Sequence, residues 1–236
     1  MHQYLRRYFA SRRAGRALSP VGDWTARLLA DPEMLQMGHC QRHEDLNLGM
    51  GWLYYGLARL IRPHAAVVIG SWRGFVPLII AKALADNVEG GRVAFIDPSI
   101  VDDFWRDPGA VRAHFAGVGV TNIDHFLLTT QQFVETPQYH EITEIGLVMI
   151  DGYHTAHQAQ FDFEAFIGKV SAGGVVLLHD SLDTSVVKLY GPERAYRRSV
   201  SDFVAVLRRD TRYQVFDLPY AKGLSLVRKV GETVKR

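Results

Sequence analysis

Two stretches of this 236-residue chain carry side chains suited to acid–base chemistry or to metal binding. In LVMIDGYHTAHQAQFDFEAF an apolar run ends in Asp151, followed by His154 and then His157. In GGVVLLHDS a second apolar run ends in His179, Asp180 and Ser181. If the two runs are adjacent strands, Asp151 and Asp180 meet at one sheet edge, where paired carboxylates suit a hard divalent ion such as Mg²⁺. Zinc would call for a Cys/His set instead. His154 would stand beside that pair, and imidazole titrates in the range a general base requires. His157, Asp162 and Glu164 read as solvated positions of the helix that follows.

A third stretch, VVIGSWRGF, stops an apolar run at Gly70, with Ser71 next and Gly74 four residues on. Glycine lets a backbone approach a ligand closely, and a helix starting there offers free N–H groups. The dinucleotide fingerprint fails because Trp72 stands where its second glycine belongs, and a P-loop fails because Phe75 follows Gly74. A plain tight turn is the competing account. In AFIDPS, Asp97 either accepts the two hydroxyls of a ribose or opens a turn before Pro98. In LLTTQQF, Thr130 and Gln131 can face an adenine edge, and helix capping explains the threonine as well.

These residues need strand ends to hold them. Near-continuous apolar runs at Ala65–Ile69, Arg92–Ile96, Asp124–Leu128, Ile145–Ile150 and Gly174–Leu178 read as buried parallel strands. Helical stretches fall between and after them, at Val76–Ala85, Pro108–Gly117, Ala156–Val170 and Ala195–Arg209. Tyr213–Leu218 and Leu224–Arg228, joined through a Pro/Gly-containing connection, read as an antiparallel hairpin. The expectation is an α/β fold: a doubly wound, mostly parallel seven-stranded sheet ending in that hairpin. Residues 1–62 show no strand signal and read as an N-terminal helical extension or lid on a domain spanning 63–236. Within it, Trp52, Tyr54 and Tyr55 are available as walls of a substrate pocket or as core.

Composition narrows the partners. A formal charge of +2 gives no whole-molecule case for nucleic acid. The acid-free run holding Arg6, Arg7, Arg12, Arg13 and Arg16 reads as a basic helix face, with an organelle presequence as the other reading. Cys40 is the only cysteine, which excludes an internal disulfide and fits a reducing compartment. No apolar run approaches the ~18 residues that span a bilayer, so the expectation is a cytoplasmic protein without membrane contact.

The segments VVIGSWRGFVPLIIAKAL, AFIDPS, IGLVMIDGYHTAHQAQFDFEAF and AGGVVLLHDS together resemble class I S-adenosylmethionine-dependent methyltransferases. More narrowly they are similar to methyltransferase family 24, a relative of the metal-dependent catechol-type O-methyltransferases. The resemblance covers about Ala65 to Asp183 and implies a Rossmann-like methyltransferase fold. It implies that Gly70, Ser71 and Gly74 cradle the methionine part of S-adenosylmethionine, with Asp97 on its ribose and Thr130, Gln131 and Asp151 also against the cofactor. It further implies Asp151, Asp180 and Ser181 as metal ligands, and His154 where the catechol-type enzymes carry a lysine base. The expected reaction is O-methylation of a small-molecule hydroxyl, with a homodimer through the extension as a further expectation. Two other readings stay open: a metal-dependent hydrolase or hydroxylase-like relative, and a non-catalytic adenosyl-binding module.

Overall fold

The computed structural model describes residues 20–36, 38–188 and 191–231. The basic run at residues 6–16 lies outside them. The chain begins with α1 (Pro20–Leu29), a 3-10 turn (Pro32–Gln36) and α2 (Gly51–Ile61). Strand–helix units follow: β1 (Ala65–Ile69), α3 (Phe75–Ala85), β2 (Arg92–Ile96), α4 (Pro108–Gly117), β3 (Ile123–Phe126), α5 (Thr130–Phe133) and α6 (Pro137–Glu141). Then come β4 (Ile145–Ile150), α7 (Ala156–Ile167) and β5 (Val170–His179). A small hairpin of β6 (Val186–Val187) and β7 (Tyr196–Arg197), α8 (Val200–Arg209), β8 (Tyr213–Leu218) and β9 (Leu224–Lys229) complete it.

Seven strands form one sheet in the order β3-β2-β1-β4-β5-β9-β8, parallel from β3 to β5, with β9 antiparallel to both β5 and β8. Alternate residues of each strand face opposite sides. Ala66, Val68, Leu147, Met149 and Leu177 pack into one layer with α3, and with Trp24, Leu28, Met34 and Tyr54 from the N-terminal segment. Val67, Ile69, Val148, Ile150 and Leu178 pack into the other, against Phe163 and Phe166 of α7 and Phe203 and Leu207 of α8. Each such fully buried side chain contributes ~1.5–3 kcal/mol relative to exposure. The described N-terminal residues are thus continuous with the main core. Among the described residues no helix is long and apolar enough to cross a membrane.

Four elements depart from the sequence expectation by more than one residue, the first being β3, which runs Ile123–Phe126 rather than Asp124–Leu128. Strand β5 starts four residues before Gly174, because Val170 pairs with Ile145 before a register shift that the positive φ of Gly173 (79°) helps the chain to make. The last helix starts at Val200 rather than Ala195, because Tyr196 and Arg197 pair with Val187 and Val186 instead. Helix α7 ends at Ile167 rather than Val170.

The strand order reverses between β1 and β4, so the crevice for a ligand opens beyond the carboxyl ends of those two strands. Gly70 sits at that point with φ 69°. A Cβ there would lie 2.5 Å from the Gly152 Cα and 2.6 Å from the Asp151 carbonyl oxygen. The glycine therefore lets the ends of β1 and β4 close on each other. Gly70→Ala is expected to cost ~3 kcal/mol, combining left-handed strain with a backbone clash, and to lower Tm by ~6–12 °C in a thermal melt.

Candidate functional site

Beyond these strand ends lies a cavity of about 700 Å³. Gly70, Ser71 and Asp97 border it on one side, with Thr130 and Gln131, while Asp151, His154 and Asp180 border it on the other. Gly74 and Ser181 are not among the lining residues. At Gly74 (φ 84°) a Cβ would meet the Trp105 ring at 2.9 Å, so this glycine makes room for a core indole at the start of α3.

Asp97 follows directly on β2. Its carboxyl accepts hydrogen bonds from the backbone N–H of Ser99 at 2.8 Å and of Ser71 at 3.3 Å. Burial raises its pKa to about 6, against the opposing pull of those two N–H groups. The carboxylate that a nucleoside would meet is therefore held in place and poorly solvated. Thr129, not Thr130, caps α5, in a reciprocal pair with Gln132. Thr130 is buried, and so is Asp162, which is 1% exposed rather than solvated.

The opposite side is a polar cluster. His179 Nδ1 lies 3.0 Å from Asp151 Oδ1 and 3.1 Å from Asp180 Oδ1. Arg198 Nε lies 2.6 Å from Asp180 Oδ2, and the same guanidinium reaches Asp183 at 3.0 Å. His154 Nε2 stands 3.6 Å from Asp180 Oδ2, and His39 Nε2 3.5 Å from Asp151 Oδ2. Burial alone would lower the His179 pKa, but the two aspartates outweigh it and raise it to about 10. Burial would likewise raise Asp151, yet His179 and His39 hold it far below the carboxylate range. His154 and His39 are both lowered, chiefly by burial, and so are neutral bases at pH 7.

His39 and Arg198 were not anticipated from the sequence. His39 comes from the N-terminal segment, where its ring stacks on Phe75 (centroids 5.3 Å apart) and its Nδ1 lies 3.0 Å from the Tyr54 hydroxyl. Its backbone carbonyl accepts from Met50 N–H at 2.8 Å, so the imidazole is fixed at both ends. Tyr54 is thus a partner of His39 and buried core. Tyr55 bonds Asp86 and Trp52 is surface, so none of the three walls the cavity. Arg198 comes from the segment just after β7. That segment also holds the His154 loop, since Ser199 N–H donates to the His154 carbonyl at 3.0 Å and Ser199 Oγ accepts from Ala156 N–H at 2.9 Å.

The metal set drawn from the sequence does not fit this geometry. Asp180 has φ 52°, which turns the chain so that Ser181 is fully buried, its hydroxyl 2.8 Å from that of Ser225. The imidazole of His179 stands between the two carboxylates, and Arg198 covers the remaining oxygen of Asp180. His179 and Arg198 thus already occupy the Asp151 and Asp180 oxygens that an ion would need, and either cation would have to withdraw to admit one. Among the described residues no three His, Cys, Asp or Glu side chains are arranged to hold an ion.

Residues 67–181 match a methyltransferase domain, that of methyltransferase family 24. A curated relative, the uncharacterized protein y4gI of Sinorhizobium fredii, is 28% identical over 144 residues. That match covers 55% of this chain but only 15% of y4gI. Among solved structures, a protein from Corynebacterium glutamicum superposes with TM-score 0.63 at 21% identity, covering 98% of each chain. An S-adenosylhomocysteine-bound methyltransferase from Podospora anserina gives 0.59 at 16% identity, covering 97% of this chain and 95% of its own. The O-methyltransferase TomG from Streptomyces achromogenes, involved in tomaymycin synthesis and solved with S-adenosylmethionine, gives 0.58 at 15% identity over 95% of each chain. At these identities the likeness establishes the shared fold. The matched domain and the sheet together make the chain a class I S-adenosylmethionine-dependent methyltransferase, with the likeness to methyltransferase family 24 confined to residues 67–181.

Proposed function

We propose that this chain transfers the methyl group of S-adenosylmethionine to a hydroxyl of a small-molecule acceptor, with His154 as the base and without a divalent ion. The observation that supports it is the shared cavity, which sets a nucleoside-type carboxylate, Asp97, across from a neutral, carboxylate-backed imidazole, His154. The cavity volume of about 700 Å³ is in the range of a site for a cofactor and a small acceptor together.

When bound, the sulfonium supplies an electrophilic methyl carbon whose bonding pair stays on sulfur. Asp97 would hold the ribose hydroxyls of the cofactor, and Gly70 and Ser71 its methionine part. His154 Nε2 takes the proton of the acceptor hydroxyl as the new C–O bond forms. Asp180, 3.6 Å away, stabilises the imidazolium that results, and Arg198 keeps that carboxylate in place. The β6–β7 hairpin borders the cavity through Val186, Val187 and Tyr196 and limits water at the acceptor end. Proximity and a positioned base are the two contributions this reaction requires.

Calorimetric titration of S-adenosylhomocysteine into the protein, followed by an acceptor screen for methyl transfer, tests the reading. Absence of binding by folded protein would sink it. Once an acceptor is found, turnover is expected to be unchanged after exhaustive chelation. Activity lost to chelator and restored by Mg²⁺ would show that the cluster rearranges around an ion.

A further inference from the structure

Two lysines border the cavity without entering the polar cluster around Asp180. Lys188 directly follows β6, and Lys222 lies in the turn between β8 and β9; both are exposed. The backbone carries Lys222 to this position. Ala221 and Lys222 are both left-handed, with φ 48° and 66°, and their turn lies against the residues that follow Asp180. Leu182 N–H donates to the Lys222 carbonyl at 3.1 Å, and Ser181 N–H donates to the Gly223 carbonyl at 3.2 Å.

The acids nearby are already engaged. Arg198 reaches Asp180 through Nε and Asp183 through Nη1, and Ser185 donates to Asp183 from its N–H and from its hydroxyl, each at 2.8 Å. Burial would raise the Asp183 pKa, but Ser185, Arg198 and Lys222 outweigh it, so the Lys222 charge acts on this side of the cavity. Neither lysine has a carboxylate within salt-bridge distance among the described residues. The same end of the cavity has an apolar wall. It is made by Val186 and Val187 and by the rings of Tyr153 and Tyr196, which stack with centroids 4.2 Å apart.

We infer that the acceptor is a hydroxy compound bearing an anionic group, a carboxylate or a phosphate, which Lys188 and Lys222 hold while its hydroxyl meets His154. The inference rests on the methyl-transfer reading above and deepens it. An ammonium is a point charge on a flexible stem, so it takes either anion without demanding one geometry. The apolar wall covers the body of such a molecule, and the charges at the rim fix which end enters. A neutral acceptor would gain the wall and leave both ammoniums to water.

The test is calorimetric affinity of the full chain, saturated with S-adenosylhomocysteine at about pH 7, for para-hydroxybenzoate, para-hydroxyphenyl phosphate and the neutral para-hydroxybenzamide. At least one anion is expected to bind ~10-fold tighter than the amide, with an advantage that shrinks as salt is added. The tighter of the two identifies the group as carboxylate or phosphate. In the double variant Lys188→Gln, Lys222→Gln that advantage is expected to fall to about twofold or less, with amide affinity and Tm unchanged. A merely structural role would weaken all three probes alike. In Lys188→Glu, Lys222→Glu the amide is expected to bind tighter than either anion. No binding of either anion, an amide bound as tightly by wild type, or an advantage retained in the folded glutamine variant would overturn the inference. In those cases binding of S-adenosylhomocysteine leaves the methyltransferase reading standing, whereas its absence from folded wild type removes both.

Discussion

His154→Ala will lower turnover by ~10²–10⁴-fold while leaving the affinity for S-adenosylhomocysteine within about twofold, because a positioned general base acts on the acceptor and not on the cofactor. The split follows from where the side chain stands. His154 borders the acceptor end beside Asp180, whereas Asp97, Ser71 and Gln131 lie at the nucleoside end. Truncation should not move the loop, since its anchors are backbone groups: His154 C=O accepts from Ser199 N–H, and His154 N–H donates to the Tyr196 hydroxyl at 3.4 Å. Steady-state kinetics with calorimetry on the same variant decides the matter. Unchanged turnover would shift the base assignment to His39, the other neutral imidazole on this cavity.

Asp97→Asn is expected to weaken S-adenosylhomocysteine by ~100-fold, since hydrogen bonds to a charged acceptor are worth ~1.5–3 kcal/mol and a neutral amide replaces that acceptor. The same change should stabilise the ligand-free protein at alkaline pH. Burial raises the folded pKa of Asp97 from 3.8 to about 6, so the folded chain holds this proton more tightly than the unfolded chain. Stability is therefore lost as pH rises from about 4 through 6, and the full cost of ~3 kcal/mol is present above that. Asparagine removes the cost. Its Tm is expected to exceed wild type by several degrees near pH 8 and to converge with it near pH 4. Wild-type ligand affinity should fall below about pH 6 as Asp97 takes up its proton, and the variant should show no such step. A wild-type affinity that is flat across this range would remove Asp97 from the ribose site.

The strands and the acids at their ends were legible because both signals are local: an apolar run and the residue that stops it. Asp97, Asp151 and Asp180 are of that kind, and β1, β2 and β4 have the expected limits. Ser181 was misplaced because a one-residue turn at Asp180, through a positive φ, reverses the direction in which the next side chain points. Asp162 was hidden within FDFEAF, where a buried acid and a solvated one give the same pattern of letters. Only its burial and its hydrogen bond from Gln158 tell them apart. His39 and Arg198 were out of reach for a different reason. Neither sits on a periodic element, and the partners that define them are more than a hundred residues away for His39 and Asp151, and beyond a hairpin for Arg198 and Asp180.

The Asp97 side of the cavity draws its polar groups mostly from residues 70–131, one run of strand–helix units, whereas the cluster around Asp180 gathers residues 39, 151, 154, 179, 180 and 198. Two halves of one site thus differ in how much of the chain must be in place before they exist. Loosening of the N-terminal segment withdraws His39, and loosening of the β6–β7 hairpin withdraws Arg198 and uncovers His154, with β1 and β2 still paired. Local opening of this kind is cheaper than global unfolding. On the proposed function, a partly opened molecule would keep its Asp97 side after the polar cluster had come apart, and ligand retention alone would be no measure of an intact site.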